Sequence, residues 1–245
     1  VQSGTDLNDN TILDASEVTR TDYLCHSNSQ SVLVSYSDEP AGSNCEFGGS
    51  RIDFGYDKNG NAALDTDEIS STGFNCVDEL VHNGTVTISN ALDLAKIKDF
   101  HTINGSLRID NAALLTELTP LKNLVKITGS LSVTNNPVLI NLRGLENLRH
   151  VGGSLIIENN PQLENIEALK GITFINWSLS VDNNSHLTAI TLNSLAYLGK
   201  HFYVTNNHDL QSITGLENIT TIKGSLKIES NLYLSYISGL QNITT

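Results

Sequence analysis

The 245 residues contain no methionine, and only three are cysteine, four proline and one tryptophan. Basic residues are also few: Lys plus Arg is 14 against 27 Asp plus Glu, a formal net charge of −13. A surface this acidic lacks the positive footprint that nucleic acid and anionic membranes require, so neither is an expected partner. No apolar run is long enough to span a membrane, and no basic-then-apolar leader opens the chain. Val1 is not an initiator methionine, which points to a processed or truncated chain. Charged residues make up only 17%, while Asn, Ser, Thr and Gly abound. That neutral-polar surface is commoner in secreted repeat proteins than in cytosolic enzymes. Catalytic signatures are missing as well. The seven histidines form no His-Glu-x-x-His zinc motif, and neither Gly-x-Ser-x-Gly nor a phosphate-binding loop occurs. No enzymatic activity is expected.

The acidity is concentrated in one part of the chain. Residues 1–80 hold three basic and fifteen acidic residues, a net of −12, whereas residues 81–245 hold eleven and twelve, a net of −1. So sharp a step predicts a domain boundary near residue 80. The acidic part repeats with a period of 51: Asp6 to Glu17 aligns with Asp57 to Glu68, and Cys25 with Cys76. Each segment places oxygen-bearing side chains at positions 1, 3, 5, 9 and 12 of a twelve-residue loop, the spacing of an EF-type calcium loop. Calcium is a hard cation that takes six to eight oxygens, and alternating ligands let a loop wrap them around one point. The expected ligands are Asp6, Asn8, Asn10, the Ile12 carbonyl, Asp14 and Glu17, then Asp57, Asn59, Asn61, the Ala63 carbonyl, Asp65 and Glu68. Position 6, usually Gly, is Thr11 or Ala62, so affinity is expected near the weak extracellular end, about 10⁻⁴–10⁻³ M. The flanks Val18–Cys25 and Ile69–Cys76 are rich in β-branched residues and read as strands, not helices. Calcium is thus expected to stabilise a β-module and not to operate a switch.

Within one repeat, Cys45 and Cys76 bracket the metal loop and are the expected disulfide; Cys25 closes a preceding repeat whose opening cysteine lies outside this sequence. Residues 39–76 carry Glu-Pro-Ala-Gly-x-Asn-Cys, Gly-Gly-x-Arg-Ile, the loop and a closing Cys, and they resemble a tandem bacterial domain of uncharacterised function. Residues 1–25 carry only the last two elements. The resemblance implies an exported bacterial protein with calcium-stabilised spacer modules. The expected organisation is a partial repeat over 1–25, a complete one over 26–80, and a second domain over 81–245.

That second domain has a period near 24. Its short strands begin at Val86, Leu107, Leu131, Leu155, Leu179, Phe202 and Leu226. Four further apolar columns recur in each coil, one of them Leu94, Leu115, Leu139, Leu163, Leu187, Leu210 and Leu234. Such columns stack into a core that no single coil can bury. With no cysteine after Cys76, this domain must hold together by packing. Two adjacent Asn columns follow the strands. The second (Asn136, Asn160, Asn184, Asn207, Asn231) is expected to turn inward and bond backbone groups, with the first (Asn111, Asn135, Asn159, Asn183, Asn206) as the alternative. Gly105, Gly129, Gly153 and Gly224 are expected to permit a sharp corner before each strand, and Trp177, at that corner in its coil, to pack beside Phe174.

Phrases such as Gly152-Gly-Ser-Leu-Ile-Ile-Glu-Asn-Asn-Pro161 and Gly144-Leu-Glu-Asn-Leu148 resemble the receptor L domain. The resemblance implies a mainly β fold, a right-handed β-solenoid of about 24-residue coils, here preceded by small β-rich modules with calcium loops. It covers about residues 84–245 and shows no terminal cap, so further coils are expected beyond the C-terminus. The outward strand positions offer a candidate ligand face of Arg108, Asp110, Ile156, Glu158, Asp182, Tyr203, Lys227 and Glu229. The neighbouring outward residue Thr134 is expected to be an ordinary surface position. The expected function is non-enzymatic binding or adhesion at the cell surface, with a glycan or protein ligand. The alternative is a structural stalk, fibre or surface-layer element that self-associates through the solenoid ends.

Overall fold

The computed structural model describes residues 2–4, 18–21 and 32–243, so the first predicted calcium loop and Cys25 lie outside the described residues. The chain divides into two compact units, Val1–Asp78 and Glu79–Thr245.

In the first unit, β1 (Gln2–Gly4) pairs antiparallel with β2 (Val18–Thr21). A three-stranded antiparallel sheet follows: β3 (Val32–Glu39), β4 (Gly49–Tyr56) and β5 (Ile69–Cys76), with β4 in the centre. Thr, Val, Ile, Phe and Tyr suit this pleated, half-buried surface. The core is small, and only Cys45 and Ile52 are buried hydrophobics among the described residues of this unit. A disulfide joins Cys45 to Cys76, with Cα atoms 5.2 Å apart. Asp53 is also buried. Burial pushes its carboxyl up, but hydrogen bonds from Thr72 and Arg51 and the Arg51 charge outweigh that and hold it below the ordinary value.

The second unit is the solenoid. Its principal sheet is parallel and, among the described residues, seven-stranded: Val86–Ile88, Leu107–Asp110, Leu131–Thr134, Leu155–Glu158, Leu179–Asp182, Phe202–Thr205 and Leu226–Glu229. Pairing is in register throughout, for example Leu131↔Leu155 and Leu155↔Leu179. Strands alternate buried and partly exposed residues, so one face meets the core and the other meets water. A six-stranded and a three-stranded parallel sheet line the other sides of the coils. The Leu and Ile columns fill the interior, and Leu139, Leu163, Leu187 and Leu210 are all fully buried. Each such side chain contributes about 1.5–3 kcal/mol by its removal from water.

The first coil departs from the others. Its Leu94 and Ile97 lie on a short helix, Ala91–Ile97. Good helix formers with apolar residues three apart explain it. Asn90 caps the helix by accepting from the Leu92 and Asp93 N–H groups.

The two Asn columns have different jobs. Asn111, Asn135, Asn159, Asn183 and Asn206 adopt left-handed backbone, with φ between 52° and 57°, a conformation Asn tolerates better than most residues. That reversal turns the second column inward, and Asn136, Asn160, Asn184 and Asn207 are fully buried. Asn160 Oδ1 accepts from the Asn136 N–H (3.2 Å) and Nδ2 (2.9 Å), while Asn160 Nδ2 donates to the Val133 carbonyl (3.0 Å) and to Asn184 Oδ1 (3.1 Å). The pattern repeats at Asn184 and Asn207.

The corner glycines act differently from expectation. Gly129 and Gly153 do not have positive φ. They are needed because adjacent coils meet there, with the Gly129 N–H 2.7 Å from the Gly105 carbonyl and the Gly153 N–H 2.7 Å from the Gly129 carbonyl. A Cβ on Gly153 would lie 2.8 Å from the Gly129 backbone. Trp177 also departs from expectation. Phe174 is stacked between His150 (4.5 Å) and Tyr197 (4.7 Å), and Trp177 is instead half exposed under the Lys200 ammonium, 4.3 Å from its ring.

Two solenoid histidines make stability depend on pH. His101 is buried, and its Nδ1 accepts from the Leu80 N–H at 3.0 Å. Burial holds it below the ordinary 6.5, with Glu79 pulling weakly upward; burial and then the Lys126 charge lower His150. The unfolded chain therefore takes up these protons at higher pH than the folded one. Their contribution is complete above the ordinary value and is lost as pH falls through the folded values. The unfolding midpoint reported by Trp177 fluorescence is expected to drop as pH falls through the ordinary histidine value of 6.5 and below it. Replacing both histidines with Gln should flatten that slope; a slope unchanged in the double variant would refute the assignment.

Candidate functional site

Outward side chains of the principal sheet form columns across the coils. One column reads Asp110, Thr134, Glu158, Asp182, Thr205 and Glu229, in register. Thr134 is not an ordinary surface residue: its hydroxyl donates to Asp110 at 2.6 Å. That bond, then those from Asn135 and Asn111, hold the Asp110 carboxyl below its usual value against a small effect of burial. Asp182 likewise accepts hydrogen bonds from the Thr205 hydroxyl (2.5 Å) and the Asn206 amide (2.8 Å), and Glu158 accepts from Ser180 at 3.0 Å. Glu158 and Asp182 sit directly opposite one another on neighbouring strands. Like charges so placed repel, and the hydroxyls that donate into them partly offset this.

Between these carboxylates and the last coil lies an open groove of about 530 Å³, lined in part by Glu158, Ser180, Asp182, Tyr203, Thr205 and Lys227. The Lys227 ammonium lies 2.6 Å from Glu229, outside the groove lining. That hydrogen bond and charge raise the lysine above its ordinary value, with smaller contributions from Tyr203 and Asp182. Four of the eight residues expected on a ligand face (Glu158, Asp182, Tyr203, Lys227) thus come together. Arg108, Asp110 and Ile156 stay on the same sheet but do not line the groove. His201 was not expected here. Its ring stacks on Tyr203 at 5.1 Å, and its Nδ1 accepts from the Ser225 N–H. The signal was present, since His201 lies two residues before Tyr203 and replaces the serine found in other coils.

The second predicted calcium loop runs from Asp57 to Glu68, between β4 and β5. Asp57 accepts from the Gly60, Asn61 and Ala62 N–H groups, Asn59 Oδ1 from the Asn61 N–H, and Asn61 Oδ1 from the Ala63 N–H. Glu68, 1% exposed, accepts from the Lys58, Asn59 and Asp65 N–H groups. The side-chain amides of Asn59 and Asn61 both donate to Asp65. Among the described residues, no three His, Cys, Asp or Glu side chains converge as a metal-binding group. The type and order of the oxygen donors nevertheless suit a hard cation. Ala62 adopts φ 61° at the position usually held by Gly, a conformation that costs about 1–2 kcal/mol for a residue with a Cβ.

Stacked coils with a parallel in-register sheet and an inward Asn ladder define a leucine-rich-repeat-like β-solenoid. The receptor L domain profile matches residues 75–168 and 125–215, more than half of the sequence, and the chain belongs to the receptor L domain family. Residues 1–25 and 31–76 match a domain of unknown function (DUF7151). No curated protein and no solved structure matches the chain. Receptor L domains are typically non-enzymatic, extracellular ligand-binding domains, and a disulfide such as Cys45–Cys76 is typical of the same setting. Among the described residues, no helix is long and apolar enough to cross a membrane.

Proposed function

We propose that the protein is an exported cell-surface binding or adhesion protein. In this reading the solenoid recognises a surface glycan or protein through the outward face of its principal sheet, and the acidic unit is a calcium-stabilised spacer. The observation that carries it is the groove where Glu158, Asp182, Tyr203 and Lys227 meet on a rigid sheet of a ligand-binding family. Side chains on rigid, in-register strands are preorganised, which lowers the entropic cost of binding. The test is a glycan and surface-protein array probed with the full chain, together with light scattering. The binding reading expects a monomer retained on the array.

A second reading, a structural stalk or surface-layer element, draws on the exposed Leu226, Leu232, Tyr233, Tyr236 and Ile237 at the last described coil. It expects concentration-dependent assembly and no retained ligand.

The spacer role rests on the loop. Asp57, Asn59, Asn61, the Ala63 carbonyl, Asp65 and Glu68 would hold calcium, which would neutralise carboxylates in a unit of strongly negative charge. Chelation is expected to lower the melting point of residues 1–78 and to leave the solenoid transition unchanged. Ala62→Gly is expected to tighten calcium binding several-fold by relieving the left-handed alanine. An N-terminal transition that ignores both calcium and chelator would sink the assignment.

A further inference from the structure

We infer that the Tyr203 groove takes a neutral saccharide, an inference that rests on the outward face being the recognition face. The hydrogen-bonding inventory of the lining points there. Glu158 and Asp182 are acceptor-only carboxylates. Ser180 and Thr205 spend their protons on those carboxylates, so their oxygens also face a ligand as acceptors. Lys227 brings the opposite chemistry. Its ammonium gives one bond to Glu229 and keeps further N–H donors, and it stands close enough to Asp182 and Tyr203 to feel both.

A ligand that satisfies this mixture must donate and accept at closely spaced points. Hydroxyl groups do both, and a sugar ring carries several. An anionic or sulfated ligand would meet two adjacent carboxylates against one lysine. A cationic side chain is donor-only; it would meet the Lys227 charge and leave the lysine N–H groups without acceptors. The Tyr203 ring supplies the apolar element. His201 stacks on it and so restrains the ring, which leaves an amphipathic platform with a polar tip among the polar groups. A groove of about 530 Å³ is within the usual range for small-ligand sites.

The experiment uses the full chain on an array of neutral cello-, manno-, xylo- and chito-oligosaccharides, with heparin fragments and oligolysine as charged probes. The best neutral probe is then titrated against wild type, Tyr203→Phe, Tyr203→Ala, Asp182→Asn and Arg108→Ala. Retention of a neutral oligosaccharide is expected. Its affinity should fall about tenfold or more in Tyr203→Ala, fall several-fold in Asp182→Asn, fall much less in Tyr203→Phe than in Tyr203→Ala, and stay near wild type in Arg108→Ala. Because Tyr203→Phe keeps the ring and Asp182→Asn keeps the shape, the result does not depend on the alanine variant folding. Failure to retain any neutral probe up to about 10 mM overturns the inference, as does retention that ignores Tyr203 and Asp182. Retention of oligolysine alone, with sensitivity to Tyr203, would overturn the saccharide class while keeping the outward face as the recognition face.

Discussion

Replacing Asn160 with Leu is expected to destabilise the solenoid by about 2–5 kcal/mol, because each buried group left without its partner costs about 1–3 kcal/mol. Asn160 is fully buried in the middle of the stack. Its Oδ1 is the acceptor for the Asn136 N–H, and its Nδ2 satisfies the Val133 carbonyl and joins the ladder to Asn184. Leucine is similar in size but can neither accept nor donate, so the loss is one of hydrogen bonding more than of volume. Trp177 is the single tryptophan and lies in the solenoid, so urea melts followed by its fluorescence report this unit alone. The informative comparison is the neighbouring Asn159, whose left-handed backbone carries an exposed side chain. Asn159→Gly should change stability by less than about 0.5 kcal/mol, since Gly adopts that conformation without strain. Equal shifts for the two variants would show that the inward ladder carries no particular weight.

The second large effect belongs to the acidic unit. Removing the Cys45–Cys76 disulfide, which joins residues 31 apart, should cost about 3–4 kcal/mol in the chain-entropy model. A unit with so few buried hydrophobics among its described residues has little else there to offset that loss. The Cys45→Ser, Cys76→Ser double variant is expected to lose hydrogen-exchange protection across Gly49–Tyr56, the central strand of the sheet, while the Trp177 transition stays where it was. Protection of that strand retained in the double variant would mean that packing and not the crosslink holds the sheet. Peptide mapping under non-reducing conditions checks the pairing itself, and a Cys25–Cys45 link would contradict it.

Much of the solenoid was legible in the sequence because its geometry is nearly one-dimensional. Each coil lies on the previous one in register, so every position meets its own counterpart about 24 residues away. A column that must be buried therefore repeats the same residue type, as Leu139, Leu163 and Leu187 do. The two Asn columns repeat for the same reason, although only the backbone separated their tasks: φ near 55° at Asn159 and full burial at Asn160. The Cys45–Cys76 pairing was legible from the 51-residue repeat.

What the periodicity could not supply was the direction of side chains that reach across coils or along a strand. Thr134 reads as an ordinary outward residue, whereas its hydroxyl is bonded to Asp110. Trp177 was a neighbour of Phe174 until the stack of His150, Phe174 and Tyr197 left it under Lys200. His201 bears on the groove only through the stacking of its ring on Tyr203. By itself the sequence determined the repeat, the core columns, the polarity of the outward face and the order of oxygen donors in the two acidic loops, since these follow from residue type and spacing. The tertiary structure decided which of those polar groups meet, because hydrogen bonding and ring stacking depend on rotamers and distances of a few ångströms that spacing along the chain does not encode.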